Sequence, residues 1–165
     1  MPALEDKAEL QAFLGEYNDN DEKDVLLNQE IFVKDFSAWV DLIQSNADAG
    51  NGDWGRSLFL LCFDSTELIG VLCIRYELAE ELEAKYGNIG YSVRPSKRNR
   101  GYATEMLRRA LVVCADLGMT SVRIGCHADN QASISVIKKC GGMFVGENGE
   151  HEKGPNNQYF KINLG

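Results

Sequence analysis

Arg98-Asn99-Arg100-Gly101-Tyr102-Ala103-Thr104 is the stretch on which the fold of this chain turns. It follows a β-prone run, residues 88–94, that Pro95 brings to an end, and it opens a long segment of helical period in which Ala103, Met106, Leu107, Ala110, Leu111, Cys114 and Leu117 are apolar. Gly101 lets backbone come close to a ligand. The first helical turn beyond it has N–H groups without intrahelical acceptors, at the positive end of the helix dipole. Such a turn binds an anion, and a pyrophosphate suits it. Six of the 17 Lys and Arg residues (Arg94, Lys97, Arg98, Arg100, Arg108, Arg109) fall within residues 94–109, where Glu105 is the sole acid. The window reads as a positive patch on a protein of net charge −8, with a solvated helix start as the plainer reading of the same charges.

Outward from this stretch the chain alternates elements at short spacing. Gly118 stops the helix, a strand over 120–127 follows, and a strand, a helix and a second strand of these lengths make a right-handed crossover with parallel strands. Asn130 caps a helix that reaches Cys140, with Gly141 after it. Residues 142–147 and 158–164 close the chain as a hairpin with a long polar loop. Upstream, 57–63 and 68–76 are strands joined by the hairpin residues 64–67, and 77–85 reads as a short helical insertion. Before them lie two amphipathic helices, 4–17 and 35–47, separated by the Asn- and Asp-rich loop 18–24; a second such loop spans 46–55. The whole length, 1–165, reads as a single domain.

The composition, 44% hydrophobic and 25% charged, is that of a globular protein. No apolar run approaches the roughly 20 residues that span a bilayer, and the N-terminus lacks a secretory pattern, so a protein of the cytoplasm with no membrane partner is expected. Five cysteines without a Cys-x-x-Cys pair, and two histidines, predict neither a disulfide framework nor a metal site. The acidic balance argues against a nucleic-acid partner and suits a cationic substrate.

Arg98-x-x-Gly101-x-Ala103 after a β-strand resembles the pyrophosphate loop of GNAT acetyltransferases, Gln/Arg-x-x-Gly-x-Gly/Ala. Tyr91-Ser92-Val93-Arg94-Pro95 lies just upstream, as the pantetheine-contacting strand does in that family. Asn130-Gln131-Ala132-Ser133, with Gly141 eleven residues after the Asn, is similar to its second signature. The resemblance covers about residues 57–164 and is closest over 88–142, where it looks like a subgroup of predicted bacterial acetyltransferases without assigned substrates. It implies an α/β (α+β) fold: a mixed, mostly antiparallel twisted sheet flanked by helices, with one parallel strand-helix-strand crossover at the acyl-CoA site. The strand that usually precedes the first helix is missing or reduced to residues 1–3. It further implies acetyl-CoA as co-substrate, bound through the backbone of Tyr91, Ser92 and Val93 along the pantetheine arm, through Arg98, Asn99, Arg100, Gly101, Tyr102, Ala103 and Thr104 at the pyrophosphate, and through Asn130 near the acetyl end. Homodimers are frequent in the family.

The chemistry implied is N-acetylation of a primary amine by direct transfer in a ternary complex. An amine of ordinary basicity is protonated at neutral pH, so a base or a water chain must take its proton, and the departing thiolate needs a donor. Two positions that carry these groups in some relatives hold Gly125 and Ile137 here. Ser133 matches the serine of a related branch that donates to the sulfur, with a helix-start serine as its other reading. His127 shares a strand face with Gly125 and is the candidate base, a solvated strand-end histidine being the alternative. Cys126, of opposite parity, is expected to point into the core. The acceptor reads as a small amine or polyamine, or a protein N-terminus or lysine. Its mouth would be shaped by 46–55 and 77–85, where Glu77, Glu80, Glu81 and Glu83 attract a cation or simply form a solvated face. A catalytically silent acyl-CoA-binding or interaction module is the rival reading.

Overall fold

A computed structural model of the chain describes residues 1–22, 25–26, 29–148 and 156–165. A 3-10 turn over Leu4–Asp6 runs into α1 (Lys7–Asp19), and α2 (Gln29–Lys34) and α3 (Phe36–Asp48) complete an N-terminal helical layer. Asp35 starts α3 with its carboxylate accepting from the Ala38 N–H at 3.0 Å, the usual service of an Asp N-cap. The helix α2 was not foreseen, since six residues are too few for a helical period to show. Residues 23–24 of the expected 18–24 loop, and residues 149–155 of the expected polar loop near the C-terminus, lie outside the described residues.

Next come the strands β1 (Ser57–Asp64) and β2 (Glu67–Arg75), a tight antiparallel pair, then α4 (Glu80–Tyr86) and β3 (Ile89–Val93), which pairs with β2. The helix α5 (Tyr102–Asp116) leads to β4 (Ser121–His127), and α6 (Gln131–Lys139) leads to β5 (Met143–Asn148) and β6 (Asn157–Asn163). Both crossover helices end as their glycines predict. Gly118 (φ 82°) donates to Ala115 O and Met119 to Cys114 O, and Gly141 (φ 90°) donates to Lys138 O and Gly142 to Ile137 O, so each helix closes with a Schellman motif.

The fold class is α+β with antiparallel sheets flanked by helices, as expected. The crossover differs in one respect. The strands order as β1-β2-β3 and β4-β6-β5, and α5 connects two three-stranded sheets; among the described residues no parallel ladder joins β3 to β4. At the head of the split lies Asn88, which is 2% exposed. Its N–H donates to Arg123 O at 2.6 Å, its Oδ1 accepts from the Arg123 N–H at 2.6 Å, and its Nδ2 donates to Arg75 O at 3.2 Å. One side chain therefore staples β2 to β4 at the start of β3, and beyond the staple the sheets part.

Two cores hold this arrangement. Leu72, Ile74 and Ile89 pack with Leu107, Ala110 and Cys114 of α5, Ile124 of β4, Ile137 of α6 and Phe160 of β6. On the opposite face of β2, Val71 joins Leu10, Phe13, Trp39 and Phe59 beneath the N-terminal helices. Each such side chain, fully buried, stabilises the fold by roughly 1.5–3 kcal/mol. With β2 buried on both sides, the position of β3, and of the gap beside it, is fixed by both cores.

Candidate active site

The edge of β3 that faces the gap is set by ladder alternation. Asn88 O accepts from the Arg75 N–H and the Arg94 N–H donates to Ile69 O, so residues 88, 90, 92 and 94 direct their main-chain groups at β2. By the same alternation the N–H and C=O of Tyr91 face the other way, into the split. Ser92 is turned to β2, and its Oγ accepts from the Leu26 N–H at 3.0 Å. The Val93 carbonyl is taken by the Tyr17 hydroxyl at 2.7 Å. Of the three strand residues expected along a pantetheine arm, Tyr91 and Val93 turn their main chain away from β2, and of these Tyr91 lines the gap while the Val93 carbonyl is already bonded.

Between β3 and β4 lies a cleft of about 390 Å³. It is lined by Tyr91 and Ser92, by Gly125, Cys126 and His127 of β4, and by Asn130 and Ser133 at the start of α6. Five of the expected site residues (Tyr91, Ser92, His127, Asn130, Ser133) therefore meet in one place. Asn130 Oδ1 accepts the Ser133 N–H at 3.0 Å, an N-cap that fixes the first turn of α6. The Ser133 Oγ stands 2.8 Å from the Tyr91 hydroxyl. Burial pushes the Tyr91 phenol up to about 12. The Tyr91 side chain was not anticipated, because strand parity alone does not say that it meets α6. Val25 and Leu26, which also line the cleft, carry no signal in the sequence.

Cys126 keeps the core-facing parity expected of it, shared with Val122 and Ile124. It packs against the core, yet it also lines the cleft and its thiol reaches Ser133; burial raises that thiol, which opposes a nucleophilic role. At Gly125, a Cβ would stand 2.9 Å from the Tyr159 ring. Tyr159 is the cross-strand partner of Gly125, and its hydroxyl is anchored on Lys85 O at 2.7 Å. The ring leaves no room there for a longer side chain. Ile137 is fully buried in the core.

The expected phosphate turn does not line the cleft. A 3-10 turn over Pro95–Lys97 precedes it, Asn99 and Gly101 both have positive φ (62° and 86°), and the Glu105 N–H makes the first helical bond, to Gly101 O at 3.1 Å. The amides of Tyr102, Ala103 and Thr104 lie ahead of that bond and have no intrahelical acceptor. A Cβ built on Gly101 meets nothing within 4 Å, so the turn presents open space on its ligand side. Tyr102 secures it by donating from its hydroxyl to Asp64 Oδ2 at 2.5 Å. These features fit a pyrophosphate.

The positive patch is a correction too. Arg94, 4% exposed, sits 3.2 Å from Glu67 and 3.9 Å from Glu9, and its Nε is 3.3 Å from Glu16 without hydrogen-bond geometry. Lys97 bonds Glu67 at 2.6 Å, and Arg109 pairs with Glu105. Arg98 grips Glu22 with both terminal nitrogens (2.8 and 2.7 Å), stacks on Tyr17 and donates from Nε to Val93 O. Its guanidinium thus braces the turn from behind. Arg98 holds the Glu22 carboxyl below the usual carboxylate range, and Lys97, with Arg94, does the same for Glu67. Four of the six cations are neutralised by carboxylates, three of them by residues far away in sequence, which a count within the window could not see. Likewise Glu77 is engaged by Arg56 rather than offered to an acceptor.

The sequence matches the family described as Acetyltransferase (GNAT) domain over residues 4–143. The chain belongs to the GNAT acetyltransferase family. The enzyme class follows: acetyl-CoA-dependent N-acetyl transfer. Solved structures share the fold of this acetyltransferase at low identity. The microcin C7 self-immunity acetyltransferase MccE, in complex with acetyl-CoA and AMP, is 22% identical, with 99% of this chain and 89% of that one covered at a TM-score of 0.70. RimJ of Mycobacterium smegmatis, with CoA-disulfide, is 17% identical over 98% and 79%, TM-score 0.74. RimL, a ribosomal L7/L12 α-N-protein acetyltransferase, is 21% identical over 97% and 86%, TM-score 0.69. No curated protein matches the sequence. Among the described residues, no helix is long and apolar enough to cross a membrane and no cluster of three or more His, Cys, Asp or Glu is placed to hold a metal ion.

Proposed function

We propose that this GNAT acetyltransferase moves the acetyl group of acetyl-CoA directly to a primary amine in a ternary complex, with the thioester lying in the cleft between β3 and β4. The convergence of the Tyr91 main chain, His127, Asn130 and Ser133 on that cleft carries the reading. Acetyl-CoA supplies an activated acyl group. The turn at Gly101 and the first amides of α5 hold its pyrophosphate, and the outward main chain of Tyr91 orients the pantetheine arm. Ser133 donates a hydrogen bond to the departing sulfur. His127 takes the amine proton, directly or through water. The acceptor belongs to the amines of small molecules and polyamines or of protein N-termini and lysines; the α-N-protein acetyltransferase among the structural neighbours makes peptide α-amines the first to try.

The test is release of free thiol from acetyl-CoA with pooled peptides, polyamines and small amines. One pool is expected to support turnover, and Ser133→Ala should lower kcat by about 100-fold, the low end for a lost proton donor, with the affinity for acetyl-CoA, whose sulfur carries no charge, unchanged. Equal rates would return Ser133 to a purely structural place in α6. Acetyl-CoA binding without release from any pool would favour the silent module instead.

A further inference from the structure

We propose that Tyr91 is a positioning residue for Ser133: its hydroxyl donates to the Ser133 Oγ and thereby leaves the serine proton free to point at the sulfur of CoA. This rests on the reading that Ser133 faces that sulfur. A serine hydroxyl has one proton and two lone pairs and rotates to suit its neighbours. Left alone, Ser133 would spend that proton on whichever acceptor lay nearest. With Tyr91 2.8 Å away, two arrangements are open, and they differ in which oxygen donates. Burial keeps the phenol protonated, so it always has a hydrogen to give. Donation to Ser133 uses that hydrogen and releases the serine's own.

Both ends of the pair are held. The Tyr91 ring packs against the main core from β3. Ser133 is fixed by the Asn130 cap at the start of α6, across the gap. The pair spans the cleft between two sheets that share no ladder, so its alignment is a property of the split itself. As the amine nitrogen bonds to the acyl carbon and the acyl–sulfur bond breaks, the electron pair goes to sulfur and the Ser133 O–H hydrogen-bonds to it. The Ser133 proton need not cross, because that hydrogen bond stabilises the departing thiolate, which solvent then protonates. The two protons that a primary ammonium loses on becoming an amide nitrogen leave through His127 or water and close the balance. Tyr91 neither gains nor loses a proton in the cycle.

The experiment needs no acceptor. Calorimetry compares CoA with desulfo-CoA, in which hydrogen replaces the thiol, on the whole protein at about pH 6 and about pH 10, since an alkyl thiol less acidic than cysteine (about 8.5) is neutral at the first and substantially ionised at the second. Other groups that titrate around the pair are His127, Cys126 and Cys140, with Lys85 on α4, and they are common to both ligands. The parent protein should prefer CoA by about tenfold at the higher pH, the scale of a hydrogen bond to a charged group. Tyr91→Phe keeps the packed ring and should lose most of that preference, as should Ser133→Ala, and the double variant should lose no more than either alone. Desulfo-CoA should bind all four proteins equally. A Tyr91→Phe protein that keeps the full preference while Ser133→Ala loses it would overturn the proposal, as would losses that add in the double variant. A parent with no preference at either pH would remove Ser133 from the sulfur, and Tyr91 with it. Failure of both ligands to bind would remove the CoA site.

Discussion

At Gly101 the proposed phosphate turn rests on a single residue type. Its φ of 86° lies where a side chain costs roughly 1–2 kcal/mol, and a Cβ there would project into open space on the ligand side of the turn. Gly118 supplies a control, since it too has positive φ (82°) and open surroundings, but it ends α5 far along the chain. Gly101→Ala and Gly118→Ala should therefore lower the melting temperature by similar amounts, about 2–8 °C, while Gly101→Ala alone weakens CoA binding, by tenfold or more on the scale of about 1.4 kcal/mol per factor of ten. Calorimetric titration of both variants checks this, and equal CoA affinities would remove the turn from the phosphate. At this scale the sequence is highly legible wherever a residue acts on its own backbone. Asn130 caps, and Gly118 and Gly141 stop, as their types dictate. Side chains that act at a distance are not legible in that way. The pairing of Arg94 with Glu9, Glu16 and Glu67 joins residues many positions apart, and Cys126, core-facing as its parity predicts, also lines the cleft.

Between elements, the decisive object is the staple at Asn88. A run of strand, helix and strand announces a crossover, and the crossover is present. Where its strands are nearest, before they part, one buried amide bonds β2 and β4 together. Nothing in local sequence distinguishes such an Asn from a turn residue. Removing the side chain leaves the partly buried Arg123 N–H without its acceptor, which costs on the order of 1 kcal/mol. Asn88→Ala should therefore lower the melting temperature by several degrees and also weaken CoA binding, because the gap beside Tyr91 loses its fixed width. Loss of stability with unchanged CoA affinity would show the gap to be set elsewhere. The same scale explains Gly125, whose apparent blank is filled by the Tyr159 ring from β6, a strand more than thirty residues downstream.

Over the whole molecule, a strongly acidic chain places its cations where they brace a binding turn rather than where they advertise it. Glu9 and Glu16 from α1 and Glu22 just beyond it tie the N-terminal layer to residues 94–98, and Glu67 at the start of β2 ties the sheet to them. The helical layer and the phosphate turn thus act as one body, with the cleft between the two sheets beside them. The proposed function requires that body to bind acetyl-CoA. Titrating the purified protein with acetyl-CoA in a calorimeter tests it most directly: saturable binding with micromolar affinity, lost in Gly101→Val and retained in Gly118→Ala, is the predicted result, and a folded protein that takes up no acetyl-CoA would contradict it.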